Sequence, residues 1–321
     1  MNVHAPLAPA PLDATTSSFA ADVAEALSQH PKKLSPKYFY DEAGSQLFEQ
    51  ITKLPEYYPT RTELSILSER GKDISAIIPG NAALVEFGAG ATTKVRLLLG
   101  QCQFGAYVPV DISGDFLTAQ AAELRQDFPT LDVHPVVADF TTPFELPDAV
   151  KAMPKVGFFP GSTLGNFEPH EACAFLRSAR QILGEGALML IGIDLEKDEH
   201  VLHAAYNDAA GVTGQFNKNV LVRINRELGG DFDLGAFAHR AIYNKERHRI
   251  EMHLIAKQPQ TVHVLGRSFD FRAGESIHTE SSYKYSLERF AALARGSGWE
   301  PKASWTDADK QFSVHALMAV D

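Results

Sequence analysis

The chain has 321 residues, enough for one large domain or two of ordinary size, and its 45% hydrophobic and 22% charged content is that of a globular protein with a buried core. Its net charge of -10 repels phosphate backbones and anionic lipid, which argues against nucleic acid and membrane surfaces as partners. No apolar run reaches the roughly 18 residues of a membrane span.

Residues 1–18, rich in Ala, Pro, Ser and Thr, lack a basic segment followed by an uninterrupted apolar one. They read as a flexible leader, not a signal peptide. An amphipathic helix is expected over Phe19–Ser28, with Phe19, Val23, Ala26 and Leu27 on its apolar face. An aromatic loop around Tyr38-Phe39-Tyr40 follows, then a helix from Ser45 to Ile51. Thr60 is expected to cap the next helix, with Glu63 as its capping-box partner. The two cysteines, Cys102 and Cys173, lie far apart without zinc spacing and read as free thiols in a reducing cytoplasm.

From Ala82 onward strands and helices alternate. Strands are expected at Ala83–Phe87, Ala106–Val110, Val133–Val137, Val156–Phe159 and Ala187–Ile193, with helices at Thr93–Leu99, Ser113–Phe128 and Glu168–Leu183. This spacing predicts an α/β fold with a mostly parallel sheet and helices on both faces. Gly184-Glu185-Gly186 makes a helix-terminating turn. The later chain reads as a helix over Glu196–Phe216, a mixed stretch to Leu228, and a short helix near Asp231–Phe237. Antiparallel strands at Arg240–Tyr243, His248–Lys257 and Gln260–Leu265, a helix over Ser286–Gly298 and a last strand from Phe312 complete the pattern.

The segment Leu84–Lys94 runs from an apolar strand into Gly88-Ala89-Gly90 and then a helix. Glycines let the backbone turn tightly and approach a ligand. Thr93 stands where the third glycine of a dinucleotide fingerprint would be, so the motif suggests an adenosyl ligand without a pyrophosphate, such as S-adenosylmethionine. Gly88 and Gly90 can also simply end a strand. At later strand ends, Asp111 is placed for a ribose diol, Asp139 for an adenine amino group and Phe140 for its ring. Each Asp has the alternative of capping a helix, and Phe140 that of core packing. Lys94 is unfavourable in the first turn of a helix, which favours a ligand carboxylate beside it.

Gly161–Asn166 is a small-residue loop rich in backbone donors; its Asn or Ser can alternatively cap the helix that follows. Tyr38, Phe39, Tyr40, Tyr57, Tyr58 and Tyr206 group outside the sheet and suggest a lid, although tyrosines pack well in cores. In Ile277–Lys284, Glu280 and Ser282 share a face when extended and can hold an imidazole or amine; read alone, this is an exposed polar strand. The 12 histidines show no ligand spacing, so no metal is expected.

Lys37–Asp41, Leu54–Glu63, Glu86–Gly90, Gly161–Asn166 and Tyr206–Thr213 together resemble the histidine-specific Nα-methyltransferases of ergothioneine biosynthesis, from about Leu34 to the C-terminus. The resemblance implies a class I methyltransferase domain, at 62–195 and 285–321, and a smaller α+β substrate-binding domain, at 19–61 and 196–284. It implies trimethylation of the α-amine of L-histidine by S-adenosylmethionine to give hercynine. Gly88, Lys94, Asp111, Asp139 and Phe140 match the cofactor positions. Tyr57, Asn166, Tyr206, Glu280 and Ser282 match the histidine positions, with Tyr40 and Met252 beside them. Asn166 and Tyr206 would hold the carboxylate, and Glu280 and Ser282 the imidazole. The protein is expected to act as a cytoplasmic monomer. The competing readings are methylation of another amino acid such as tryptophan, and a non-catalytic amino-acid-binding regulator. A nicotinamide dehydrogenase is disfavoured by the missing third glycine.

Overall fold

The computed structural model describes residues 14–320, which form two compact units. The larger comprises residues 51–206, 243–250 and the chain from 281 onward; the smaller takes the chain up to 50, then 207–242 and 251–280.

In the larger unit eight strands make one sheet: β1 (Ala82–Phe87), β2 (Phe104–Asp111), β3 (Asp132–Val133), β4 (Val136–Val137), β5 (Lys155–Phe159), β6 (Leu188–Asp194), β7 (Trp299–Thr306) and β8 (Phe312–Ala319). Their order is β7-β8-β6-β5-β1-β2-β3, with β4 also on β2. The pairs from β6 through β5, β1 and β2 to β3 and β4 are parallel, and β8 is antiparallel to both β6 and β7. Strands covered on both faces read as continuous apolar runs, and all six residues of β1 are buried. Alternate residues serve two cores. Ala83, Val85 and Phe87 pack with Leu176, Ala179 and Phe290, while Leu84 packs with Ile66, Leu67, Val95 and Leu98.

From β1 the chain moves outward through β2 to β3, then returns to the other side of β1 as β5. Strand order therefore reverses between β1 and β5. In such sheets ligands bind outside the carboxyl ends of the strands at this reversal.

The expected strand at 133–137 is split in two around Pro135, which has no N–H to give a ladder. β7 was not expected, because Pro301 and Lys302 break its alternation; a bulge between Pro301 and Ala303 absorbs them. The expected capping box at Thr60 does not form. The helix begins at Tyr58, so Thr60 lies inside it and Glu63 turns into the protein. Nor do Ser162 or Asn166 cap the helix Pro169–Leu183: Glu168 does, its backbone N–H donating to Glu171 at 2.8 Å.

In the smaller unit the first helix starts at Ala14, so residues 14–18 are helical; residues 1–13 of the expected leader lie outside the described residues. The sheet here has the order Lys32–Lys33, Ser276–Tyr283, Arg249–Ala256, Phe237–Asn244. The helix expected over Glu196–Phe216 is two helices, Glu199–Tyr206 in the larger unit and Val212–Leu228 in the smaller. Gly211, at φ +73°, breaks the run, and the Asp208 carboxylate accepts from the N–H groups of Val212 and Thr213 at 2.8 Å each. Asp231–Phe237 yields only a short 3-10 turn, Leu234–Ala236, opened by Asp233. Gln260–Val264 pairs with Arg267–Phe271 across a two-residue turn, Leu265-Gly266, with both φ values positive.

Candidate active site

Within the larger unit, most of the donor-site residues expected from sequence lie at or just after the carboxyl ends of β1, β2 and β4. Gly88 has φ +75°, and a Cβ there would lie 3.1 Å from the Phe140 ring. The N–H groups of Gly88 and Ala89 both donate to the Val110 carbonyl, at 2.9 and 3.0 Å, which ties the turn to the end of β2. Phe140 is half-buried and meets Phe159 and Phe175 edge-on, with ring centroids 5.6 and 5.9 Å apart. Asp111 is half-buried, and burial lifts its carboxyl above the usual range while bonds from Ser113 oppose the rise. Asp139 is exposed, with one oxygen accepting from the Thr141 N–H and hydroxyl. The arrangement fits an adenosyl ligand: a turn too tight for a side chain beside an aromatic ring, flanked by two carboxylates.

Lys94 also has a carboxylate partner within the protein: Glu63, 1% exposed, lies 2.6 Å away. Glu63 also accepts from the Gly161 N–H at 2.9 Å, and a Cβ on Gly192 would strike it. One buried carboxylate thus fixes both Lys94 and the start of the Gly161–Asn166 loop.

That loop continues toward the substrate-side residues of the same unit. Ser162 has a left-handed backbone, φ +58°, which is costly for a residue with a side chain. Its hydroxyl accepts from the Asp194 N–H at 2.9 Å. Gly165 lies against the Tyr283 backbone, where a Cβ would come within 2.8 Å of the carbonyl oxygen. Asn166 ends the loop, half-buried. Tyr206, the last residue of its helix, and Ser282 are both buried, with their hydroxyl oxygens 2.8 Å apart. Tyr57 is half-buried just before the helix at Tyr58, and its carbonyl accepts from Arg61.

A polar network lies beneath Tyr206 and Ser282. Tyr58 donates to Asp194 at 2.8 Å, and Lys284 and Lys197 both pair with Asp194. Burial works against the charge on Asp194, yet the two ammonium groups hold its carboxyl below the usual range. Burial pushes Lys197 down to about 8, against the pull of Asp194.

In the smaller unit, Met252 is buried and its carbonyl accepts from the Thr279 hydroxyl at 3.0 Å. Glu280 is buried, and its backbone carbonyl lies 2.9 Å from His278 Nε2. Thr279 through Lys284 are all buried, which overturns the exposed-strand reading of this segment. Tyr40 is 40% exposed and packs edge-on against Phe48 and Phe216. Of the residues grouped as a lid, Tyr38, Phe39, Tyr58 and Tyr206 are buried.

The model of the family described as "Histidine-specific methyltransferase, SAM-dependent" matches residues 19–319. The chain belongs to this family. A histidine N-alpha-methyltransferase of Mycolicibacterium smegmatis is 40% identical over 312 residues, 94% of this chain and 95% of the relative. One from Mycobacterium tuberculosis is 38% identical over 308 residues, with the same coverage of 94% and 95%. Ergothioneine biosynthesis protein 1 of Neurospora crassa is 30% identical over 301 residues, 89% of this chain and 33% of that protein. The enzyme is thus an S-adenosylmethionine-dependent methyltransferase, and its sheet has the mixed α/β build expected of one.

Sequence reasoning missed Glu63, Asp194, Lys197 and Lys284 in this methyltransferase. Two of them carried a legible signal. Glu63 shares the buried stripe of its helix with Pro59, Thr62, Ile66 and Leu67, where a lone carboxylate needs a partner. Lys284 follows Ser282 by two residues, the spacing of one strand face.

Proposed function

We propose that the enzyme trimethylates the α-amino group of L-histidine to give hercynine, a step of ergothioneine biosynthesis, acting as a cytoplasmic monomer. The observation that carries this reading is the family match over residues 19–319. The names of the mycobacterial and fungal relatives support the amino-nitrogen acceptor and the ergothioneine context. The donor's segments are 62–195 and 285–321, and those for the amino acid are 19–61 and 196–284.

S-adenosylmethionine, when bound, supplies a methyl group to the amine lone pair and leaves as S-adenosylhomocysteine with the electrons of the broken C–S bond. Gly88, Asp111, Asp139 and Phe140 hold its adenosyl part, and Lys94 its carboxylate end. Asn166 and Tyr206 hold the carboxylate of histidine, and Glu280 and Ser282 its imidazole; Tyr40, Tyr57 and Met252 complete that site. Orientation of the amine and exclusion of water are the work the side chains have to do, because an in-line displacement of this kind needs no protein nucleophile. The amine loses one proton before each transfer, three in all, and the product is a fixed cation. Tyrosine ring faces suit that growing ammonium. Selectivity rests on Glu280: a buried carboxylate that accepts a hydrogen bond from the ring N–H of histidine loses that bond with a substrate lacking one, at a cost of about 1–3 kcal/mol.

The test is a panel of histidine, its mono- and dimethyl forms, tryptophan and tyrosine, each with S-adenosylmethionine and read by mass. Three successive methyl additions on histidine, with tryptophan and tyrosine unchanged, are expected. Turnover of tryptophan but not histidine would overturn the substrate assignment. Histidine binding with no methyl transfer would overturn the activity.

A further inference from the structure

Asn166 and Ser282 belong to the larger unit and are assigned to the two ends of the amino acid, the carboxylate and the imidazole. The residue after Ser282 ties them together. Tyr283 is buried and ends its strand, so its side chain leaves on the face opposite Ser282. Its hydroxyl donates to Glu168 Oε2 at 2.6 Å and accepts from Arg249 Nη1 at 2.7 Å. The same Arg249 nitrogen lies 3.0 Å from both Glu168 oxygens. The two charged groups therefore pair with each other across the hydroxyl, and both bonds of the hydroxyl are of the strong, charge-assisted kind. Burial, joined by the bond to Glu168, raises the Tyr283 hydroxyl above its ordinary value and so keeps its proton in place.

Glu168 stands two residues after Asn166. One residue before Asn166, Gly165 is pressed against the Tyr283 backbone: a Cβ there would lie 2.8 Å from the carbonyl oxygen and 3.3 Å from the nitrogen. Asn166 is thus bracketed, at 165 and at 168, by contacts to one residue. The bracket is stiff, because residues 163–166 form a single 3-10 turn. Within it the Gly165 N–H donates to the Ser162 carbonyl at 2.8 Å, and the Phe167 N–H donates to the Leu164 carbonyl at 3.2 Å. Leu164 and Tyr283 also share one buried apolar cluster. A shift of Tyr283 passes to Asn166 through these contacts and to Ser282 through the chain.

We propose that Tyr283 is a positioning residue that fixes the separation of Asn166 and Ser282, and with it the length of amino acid that the two can hold at once. This rests on the assignment of Asn166 and Ser282 to opposite ends of the substrate. A ligand held at both ends gains from the second contact only when the spacing of the two subsites matches its length. Glu168 and Arg249 act through the Tyr283 hydroxyl. A plain structural network would stabilise the fold and affect a ligand with both ends and a ligand with one end alike.

The experiment uses the full chain and two variants. Gly165→Ala drives a methyl wedge between the Asn166 turn and the Tyr283 backbone; Gly165 has no positive φ, so the contact is the whole perturbation. Tyr283→Phe removes the hydroxyl and leaves Glu168 and Arg249 paired, so no buried charge loses its partner. Calorimetry measures histidine, histamine and S-adenosylhomocysteine. Histamine carries the imidazole and the amine without the carboxylate. The wild type is expected to bind histidine at least about tenfold more tightly than histamine, the worth of a second engaged end. Gly165→Ala is expected to weaken histidine about tenfold or more and Tyr283→Phe about threefold or more, with histamine and S-adenosylhomocysteine within about twofold in both.

Equal losses of histidine and histamine in either variant would overturn the proposal and leave a structural network. Wild-type histidine affinity in either variant would overturn it too. If Gly165→Ala does not fold, Tyr283→Phe decides alone. A wild type that binds histamine as tightly as histidine would overturn the assignment of Asn166 to the carboxylate, and one that binds neither would overturn the substrate reading itself.

Discussion

Replacing Glu86 with Gln removes a buried titratable group from β1 and keeps the side chain's shape. Glu86 is 3% exposed and bonded to the Tyr107 hydroxyl. Burial raises its carboxyl to about 8 from an ordinary 4.5, against the opposing bond from Tyr107 and the charge of Lys94. For a carboxyl raised in the folded state, the stability is fully present below pH 4.5 and is lost as pH rises through 8. Between those limits the folded protein keeps a proton that the unfolded chain has released. Stability therefore falls by about 1.4 kcal/mol per pH unit from this group alone, about 3 kcal/mol by pH 7 and about 5 kcal/mol by pH 8. That is a large part of the 5–15 kcal/mol typical of a domain. Gln has no proton to release. The assay is urea unfolding followed by the fluorescence of Trp299 and Trp305, at pH 5, 6, 7 and 8. Other titrating groups are common to both proteins and cancel in the difference. The Glu86→Gln protein is expected to gain on the wild type by about 1 kcal/mol or more with each pH unit. A difference that stays constant from pH 5 to 8 would refute the buried, protonated carboxyl.

Three further outcomes are expected. Gly88→Ala puts a Cβ 3.1 Å from the Phe140 ring at a φ of +75°, and should weaken S-adenosylmethionine binding at least about tenfold in calorimetry while histidine affinity changes less. Glu63→Gln leaves Lys94 without its counter-charge, so it should weaken the cationic S-adenosylmethionine about tenfold more than the uncharged thioether S-adenosylhomocysteine; equal effects on the two ligands would refute the charge argument. Glu280→Ala should lower histidine affinity about a hundredfold and S-adenosylmethionine affinity little. Matching losses of both ligands would remove Glu280 from the substrate site.

The parallel sheet was legible because strands buried on both faces write their burial as unbroken apolar runs, as in β1 and β6. β7 was hidden by Pro301 and Lys302, and the Gln260–Phe271 hairpin by a Leu-Gly turn in place of Asn-Gly. Gly88, Asp111, Asp139 and Phe140 were singled out for the donor because each sits at or just after a strand end, a position that topology alone marks. The polar network was not. Asp194 and Lys197 read in one dimension as ordinary surface charges, and only the fold shows that they are buried and paired, with Lys284 as the third member. Thr60 and Glu63 show the opposite error, since a local capping rule gave a good partner and tertiary burial of Glu63 replaced it.

The chain passes from one unit to the other at 50/51, 206/207, 242/243, 250/251 and 280/281. A unit assembled from three separate stretches cannot be excised as a cassette, and no single cut separates one unit from the other. Exchange of either unit between enzymes by recombination would need several coordinated breakpoints.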